Sequence, residues 1–126
     1  MRMPSEADLP RGTVRDFAEI LFRIYRSADR PSLHRVSDTI SRLDNCRGTA
    51  STETIRRMLR GITVPPHWDT VEAVALGLCE LAGWDLDSWF TFDDVQASLR
   101  EHLRRAWHRA LDEPDLIYHY SDEPPF

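Results

Sequence analysis

The segment STETIRRMLRG, residues 51–61, has the pattern of one short amphipathic helix. Ser51 is a typical N-cap, and Gly61 stands where helices often end in the left-handed conformation. Three apolar side chains recur at helical spacing and define an inward face: Ile55, Met58 and Leu59. By helical geometry the opposite face points to solvent, and it carries Thr52, Glu53, Arg56, Arg57 and Arg60.

Helical periodicity also dominates the chain before this segment. It predicts a first helix from an N-cap at Thr13 to about Ala28. A second, shorter helix is predicted across residues 33–43. Residues 44–50 are polar and contain an Asn and a Gly, so they are expected to form a loop between the second and third helices.

Two prolines, Pro65 and Pro66, separate the third helix from the next one, because proline cannot continue a helix. A fourth helix is predicted for residues 68–82, with Gly83 as its stop. The following residues, 84–90, indicate a turn or a short helix. Four tryptophans are expected to be packing side chains rather than platforms for base stacking: Trp68, Trp84, Trp89 and Trp107.

A fifth, long helix is predicted to begin at Thr91, because Thr91 and Asp94 have the spacing of a capping box. Its apolar stripe extends to about Ala110. No alternating pattern typical of a strand is evident, so the predicted fold class is all-α, a five-helix domain with a helix-turn-helix core and a long C-terminal helix.

The chain has 126 residues, which favours one compact domain. Residues 1–12 are expected to form a flexible arm, residues 13–112 the helix-turn-helix helical domain, and residues 113–126 an extended acidic tail. The apolar runs are too short to cross a bilayer, so no membrane contact is expected and the predicted location is cytoplasmic.

The third helix and its surroundings resemble a known family. Ser51, Thr54, Ile55, Gly61 and Pro66 stand in register with the recognition helix and the next helix of lambda-repressor/Cro-like helix-turn-helix domains, most like a set of actinomycete versions. The resemblance implies that the chain is a small transcriptional regulator of double-stranded DNA. It would read the major groove with helix 51–60, although the preceding turn is longer here than in that family.

Carried over by position, the resemblance implies two groups of DNA contacts. The side chains that would reach base edges are Thr52, Glu53 and Arg57. Arginine can grip guanine, and glutamate can accept from the amino group of cytosine. The residues that would contact phosphates are Arg35, Arg42, Arg47, Ser51, Arg56 and Arg60.

The charge distribution favours an anionic partner on one face. Residues 11–61 contain eleven Arg and six acidic residues, whereas residues 62–126 contain four Arg and thirteen acidic residues. All basic side chains are Arg, which binds phosphate and guanine better than Lys does. No phosphate loop, zinc-protease helix, nucleophile elbow or metal-ligand spacing occurs, so neither an enzyme, a metal site nor a cofactor is predicted.

Other interpretations stay open. The arginines of helix 51–60 can form a plain solvated face, with Arg57 paired to Glu53 one turn away. The scaffold can also serve as a protein-interaction adaptor, with a partner bound through residues 92–126. The apolar stripe of the fifth helix can support a homodimer, or it can pack against the first and fourth helices of its own chain.

Overall fold

The computed structural model describes residues 1–44, 46–92 and 94–112, which form five helices and a two-stranded sheet. In chain order the elements are α1 (Thr13–Ser27), α2 (Leu33–Arg42), α3 (Thr52–Leu59), α4 (Trp68–Ala82), β1 (Trp89–Phe92), β2 (Val95–Ser98) and α5 (Leu99–Asp112). The five predicted helices are confirmed. The small sheet corrects the all-α prediction, and the predicted tail, residues 113–126, lies outside the described residues.

Local signals set most helix ends. The Ser51 hydroxyl accepts a hydrogen bond from the Thr54 amide at 3.2 Å, which confirms the predicted cap of α3. Gly61 and Gly83 adopt φ values of +69° and +72°, as expected for residues that end helices in the left-handed region. The cap predicted at Thr13 is wrong by one residue, because Gly12 occupies that position with φ +152°.

The predicted start of the fifth helix is wrong, because residues 89–98 form a β-hairpin. The two strands are antiparallel, and Phe90 pairs with Ala97. Asp94, predicted to complete a capping box with Thr91, instead adopts φ +66° in the turn between the strands. The cap of α5 is Ser98, whose hydroxyl accepts from the Glu101 amide at 3.1 Å.

The core is centred on α1, which packs against α3, α4 and α5. The inward face predicted for α3 is confirmed, because Ile55, Met58 and Leu59 have no exposed surface. The apolar stripe of α5 is buried inside the same chain: Leu99, Leu103, Ala106, Trp107 and Ala110. The intramolecular packing of this stripe is the arrangement that the structure has.

Two residues of the segment 1–12, which is predicted to be a flexible arm, are buried against the domain. Pro4 and Leu9 are buried. The Leu9 carbonyl accepts a hydrogen bond from the Arg15 guanidinium at 2.6 Å. The Leu9 side chain packs on Gly61, where an added Cβ would come within 2.6 Å of it. The arm is thus held at the end of α3 by contacts that no local pattern reveals.

Candidate nucleic-acid interface

Contacts with α2 and with α4 hold the long loop between α2 and α3 in place. The Ser37 hydroxyl on α2 donates a hydrogen bond to the Ala50 carbonyl at 2.8 Å. Gly48 lies so close to the first turn of α4 that a Cβ on it would come within 2.3 Å of the Asp69 carbonyl oxygen. These contacts hold the N-terminus of α3 in place despite the length of the loop.

The three residues predicted to reach base edges share the solvent-facing side of α3. Thr52, Glu53 and Arg57 are all exposed, opposite the buried face of the helix. Their side chains project from the first two turns, so they are accessible to a large partner. Because the opposite side of the helix is buried in the core, these side chains can only point to solvent.

Glu53 holds two arginines of the same helix. Its carboxylate accepts two hydrogen bonds of 2.7 Å from Arg56 and one of 3.2 Å from Arg57. The pair with Arg57 is the one that the solvated-face interpretation predicts. The two-bond pair with Arg56 was missed, although its i,i+3 spacing is visible in the sequence. Glu53, Arg56 and Arg57 thus form one cluster. Glu53 and Arg57 are predicted to reach base edges, and Arg56 is predicted to contact a phosphate.

This cluster shifts the titration of its carboxylate. Hydrogen bonds from Arg56, followed by those from Arg57, lower the pKa of Glu53 from 4.5 to about 2. Because the pKa is lower in the folded chain, the pairing contributes its full stabilisation at pH values above 4.5. This stabilisation is lost as the pH falls towards 2. At neutral pH, then, Glu53 is fully charged and holds both guanidinium groups.

We expect an NMR titration of the Glu53 side chain to give a midpoint near pH 2. Arg56→Gln should raise that midpoint further than Arg57→Gln, because Arg56 supplies the shorter and more numerous hydrogen bonds. Arg60→Gln is the matched control on the same helix and should leave the midpoint unchanged. A wild-type midpoint at 4.5 would show that the cluster does not persist in solution.

The predicted phosphate contacts are less closely grouped. Arg35 and Arg42 stand at opposite ends of α2, Arg47 lies in the loop, and Arg60 follows the last turn of α3. Arg42 is paired with Asp38 at 2.9 Å. Within the described part of the chain, Arg35, Arg47 and Arg60 form no ion pair, so their charges remain available to an anion.

Ser51 differs from these arginines, because its hydroxyl already serves the helix. It accepts from the Thr54 amide and lies 3.0 Å from the Thr54 hydroxyl. Because a hydroxyl can accept and donate at once, the predicted phosphate contact at Ser51 is compatible with the cap when the Thr54 hydroxyl is the donor of their mutual hydrogen bond.

The two cysteines are not activated thiols. Burial raises the pKa of Cys79 to about 12, and burial also raises that of Cys46, so neither thiol is activated at neutral pH.

Among residues 1–44, 46–92 and 94–112, no group of three His, Cys, Asp or Glu side chains is arranged to hold a metal ion. The described helices also include none with the length and apolar character needed to cross a membrane.

The tryptophans divide into two groups. Trp68 and Trp107 pack together with ring centroids 5.6 Å apart, and Trp84 stacks on Phe90 at 5.3 Å, as expected for packing side chains. Trp89 was expected to pack as well, but it is 70% exposed. In the strand it points to the side opposite Phe90, because successive side chains alternate between the two faces.

Comparison of the chain with models of known protein families, with curated proteins and with solved structures finds no match in any of the three.

Proposed function

We propose that the chain binds double-stranded DNA through α2 and α3, with α3 in the major groove, and acts as a small transcriptional regulator. The observation that carries the proposal is the two-sidedness of α3. Its apolar side chains have no exposed surface, whereas Thr52, Glu53 and Arg57 face solvent. A helix with these properties can enter a groove without disturbing the core.

In the proposed complex Glu53 has two roles. In the free chain it accepts a hydrogen bond from Arg57 and orders that side chain, which reduces the entropy that Arg57 loses when it meets DNA. In the groove its carboxylate can accept from the amino group of cytosine, while Arg57 contacts a neighbouring guanine. Opposite other bases its charge lies unpaired near phosphates, which penalises the wrong sequence.

The arginines around α3 would contact phosphates. Arg35, Arg47 and Arg60 have no carboxylate partner in the described part of the chain, and Arg56 can turn from Glu53 to the backbone of DNA. A single domain of this size reads one half-site, so we further propose either a dimer or repeated sites on the operator. The location that this function requires is the cytoplasm, where the chain reaches DNA.

The test is a titration of genomic DNA fragments with the full chain at two salt concentrations. For the wild type we expect affinity to fall steeply with salt, because phosphate contacts release counterions. Arg57→Ala should reduce discrimination between sequences by about 1–3 kcal/mol. Arg60→Ala should weaken binding to all sequences alike, and the number of counterions released on binding should fall by about one.

Arg104→Ala is the matched control, because Arg104 lies on α5, where its guanidinium covers the Trp68 ring at a distance of 5.1 Å. It removes the same charge from the protein at a site outside the proposed interface. Equal losses for Arg104→Ala and Arg57→Ala would indicate binding by overall charge alone. Absent binding, or binding that ignores salt in all variants, would contradict the proposal.

A second candidate function, a protein-interaction adaptor, is favoured by one observation. Trp89 and Val95 on the hairpin are 70% and 43% exposed, and large exposed apolar side chains are frequent at protein interfaces. The adaptor hypothesis places its partner on residues 92–126, of which Val95 and α5 lie in the described part, and Trp89 extends that surface beyond the predicted range. Salt-independent capture of a protein, abolished by Trp89→Ser and retained in Arg57→Ala, would support it.

A further inference from the structure

A second feature, which no residue of α3 lines, is a cleft of about 410 Å³ between α1, the hairpin and α5. A volume of this size is within the range of small-molecule sites. Its apolar lining consists of Ile20, Phe92, Val95 and Ala106. Its polar lining consists of Asp16, Glu19, Arg23, His102, Arg105 and Arg109.

The cations of this cleft are only partly compensated. Arg105 is paired with Glu101 at 2.8 Å. Arg23 and Arg109 have no ion-pair partner in the portion of the chain that the structure describes. The carboxylate of Glu19 is paired with Arg15, which is not a lining residue. Two guanidinium groups are therefore available to an anion that enters the cleft, whose lining also includes the carboxylate of Asp16.

Contacts within the fold preorganise the apolar side of the cleft. His102 is buried, and its Nε2 lies 2.8 Å from the Phe90 carbonyl. Since a carbonyl can only accept, Nε2 carries the proton and the ring orientation is fixed. The His102 and Phe92 rings are T-shaped with centroids 4.7 Å apart, and the guanidinium carbon of Arg23 lies 4.8 Å from the Phe92 centroid. A cation and an aromatic ring are thus held together at one end of the cleft.

We propose that this cleft binds a small organic anion with a flat apolar body, such as an aromatic carboxylate. The carboxylate would meet Arg23 or Arg109, because charge-assisted hydrogen bonds to guanidinium are the strongest that the cleft offers. The apolar body would lie against Ile20 and Ala106 and displace water from them. This site is separate from the proposed DNA interface, and the proposal does not depend on DNA binding.

The experiment follows amide shifts of the ¹⁵N-labelled full chain, without DNA, as three probes are added. Indole-3-acetate has both the anion and the flat ring, acetate has the anion alone, and tryptamine has the ring with a cation. We expect saturable shifts at Ile20, Val95 and Ala106 with indole-3-acetate, at a Kd on the order of 1 mM for a ligand of this size. Acetate and tryptamine should bind about tenfold more weakly or worse.

Two pairs of variants test the guanidinium groups. Arg23→Gln and Arg109→Gln should each raise the Kd for indole-3-acetate by about tenfold. Their controls are Arg26→Gln, whose guanidinium also covers a phenylalanine ring on α1, and Arg104→Gln on α5. Both controls lie outside the cleft and should leave the Kd unchanged.

Three results would overturn the proposal. The first is the absence of saturable shifts at the cleft with indole-3-acetate. The second is equal binding of acetate or tryptamine, which would show that charge or ring alone accounts for the effect. The third is an equal rise in Kd for the control variants. The amide spectrum of each variant also reports whether it is folded, so a loss of binding through unfolding is distinguishable.

Discussion

Replacing Trp107 by alanine is expected to lower the free energy of unfolding by about 3–5 kcal/mol. The side chain is 7% exposed, and its ring packs against Trp68 at the start of α4. Its Nε1 also donates a hydrogen bond of 2.7 Å to the Pro65 carbonyl. The substitution removes a large apolar contact between α4 and α5 and leaves a carbonyl oxygen without its partner.

Urea unfolding followed by circular dichroism at 222 nm gives the measurement, and the chain supplies its own matched control. Trp89→Ala removes the same side chain from a 70% exposed position, so it should change the free energy of unfolding by about 0.5 kcal/mol or less. Trp107→Phe keeps an aromatic ring and loses the hydrogen bond, so its effect should be intermediate. Equal destabilisation by Trp89→Ala and Trp107→Ala would contradict the packing described here.

The second large effect is expected at Gly48. Its φ is not among the positive values, so the need for glycine comes from close approach rather than from backbone conformation. A Cβ would lie 2.3 Å from the Asp69 carbonyl oxygen, which is backbone and cannot rotate away. Gly48→Ala must therefore move the loop away from α4, at a cost of about 1–3 kcal/mol in the free energy of unfolding.

Thr49→Ala is the control for Gly48→Ala, because Thr49 is the next residue in the loop and is exposed. It should change stability by about 0.5 kcal/mol or less. If the two variants unfold at the same urea concentration, the loop is not seated on α4 as described. Because the loop leads to Ser51, Gly48→Ala should also weaken DNA binding if the proposed function is right.

Helix positions could be predicted from sequence where local chemistry determines them. The bounds of α4 match the prediction of 68–82, because prolines precede it and Gly83 ends it in the left-handed conformation. The cap of α3 at Ser51 and its inward face were also evident. These features depend on residues within one or two turns of each other, which is the range that periodicity and capping patterns report.

The hairpin was missed because two patterns overlap in residues 89–101. The alternation of Phe90 and Phe92 in β1 spans only four residues, whereas the helical stripe of α5 extends over fourteen. A better capping signal was nevertheless present, since Ser98 and Glu101 have the complete capping-box spacing. Thr91 with Asp94 imitates that signal and occurs earlier in the chain.

For the candidate interface, the sequence predicts which side chains of α3 face solvent, but it does not predict contacts between distant segments of the chain. The exposure of Thr52, Glu53 and Arg57 follows from helical geometry alone. The cleft beside α5 could not be predicted, because Arg23 and Arg109 are far apart in the chain and line the same cleft only through the packing of α1 on α5. Contacts between distant segments leave no periodic trace in a single sequence.

The seating of Leu9 on Gly61 has a practical consequence for anyone who produces this protein. Leu9 lies against the end of α3, so the segment that carries an N-terminal affinity tag passes beside the helix proposed to meet DNA. A cleavable tag, removed before any measurement of DNA affinity, avoids this interference.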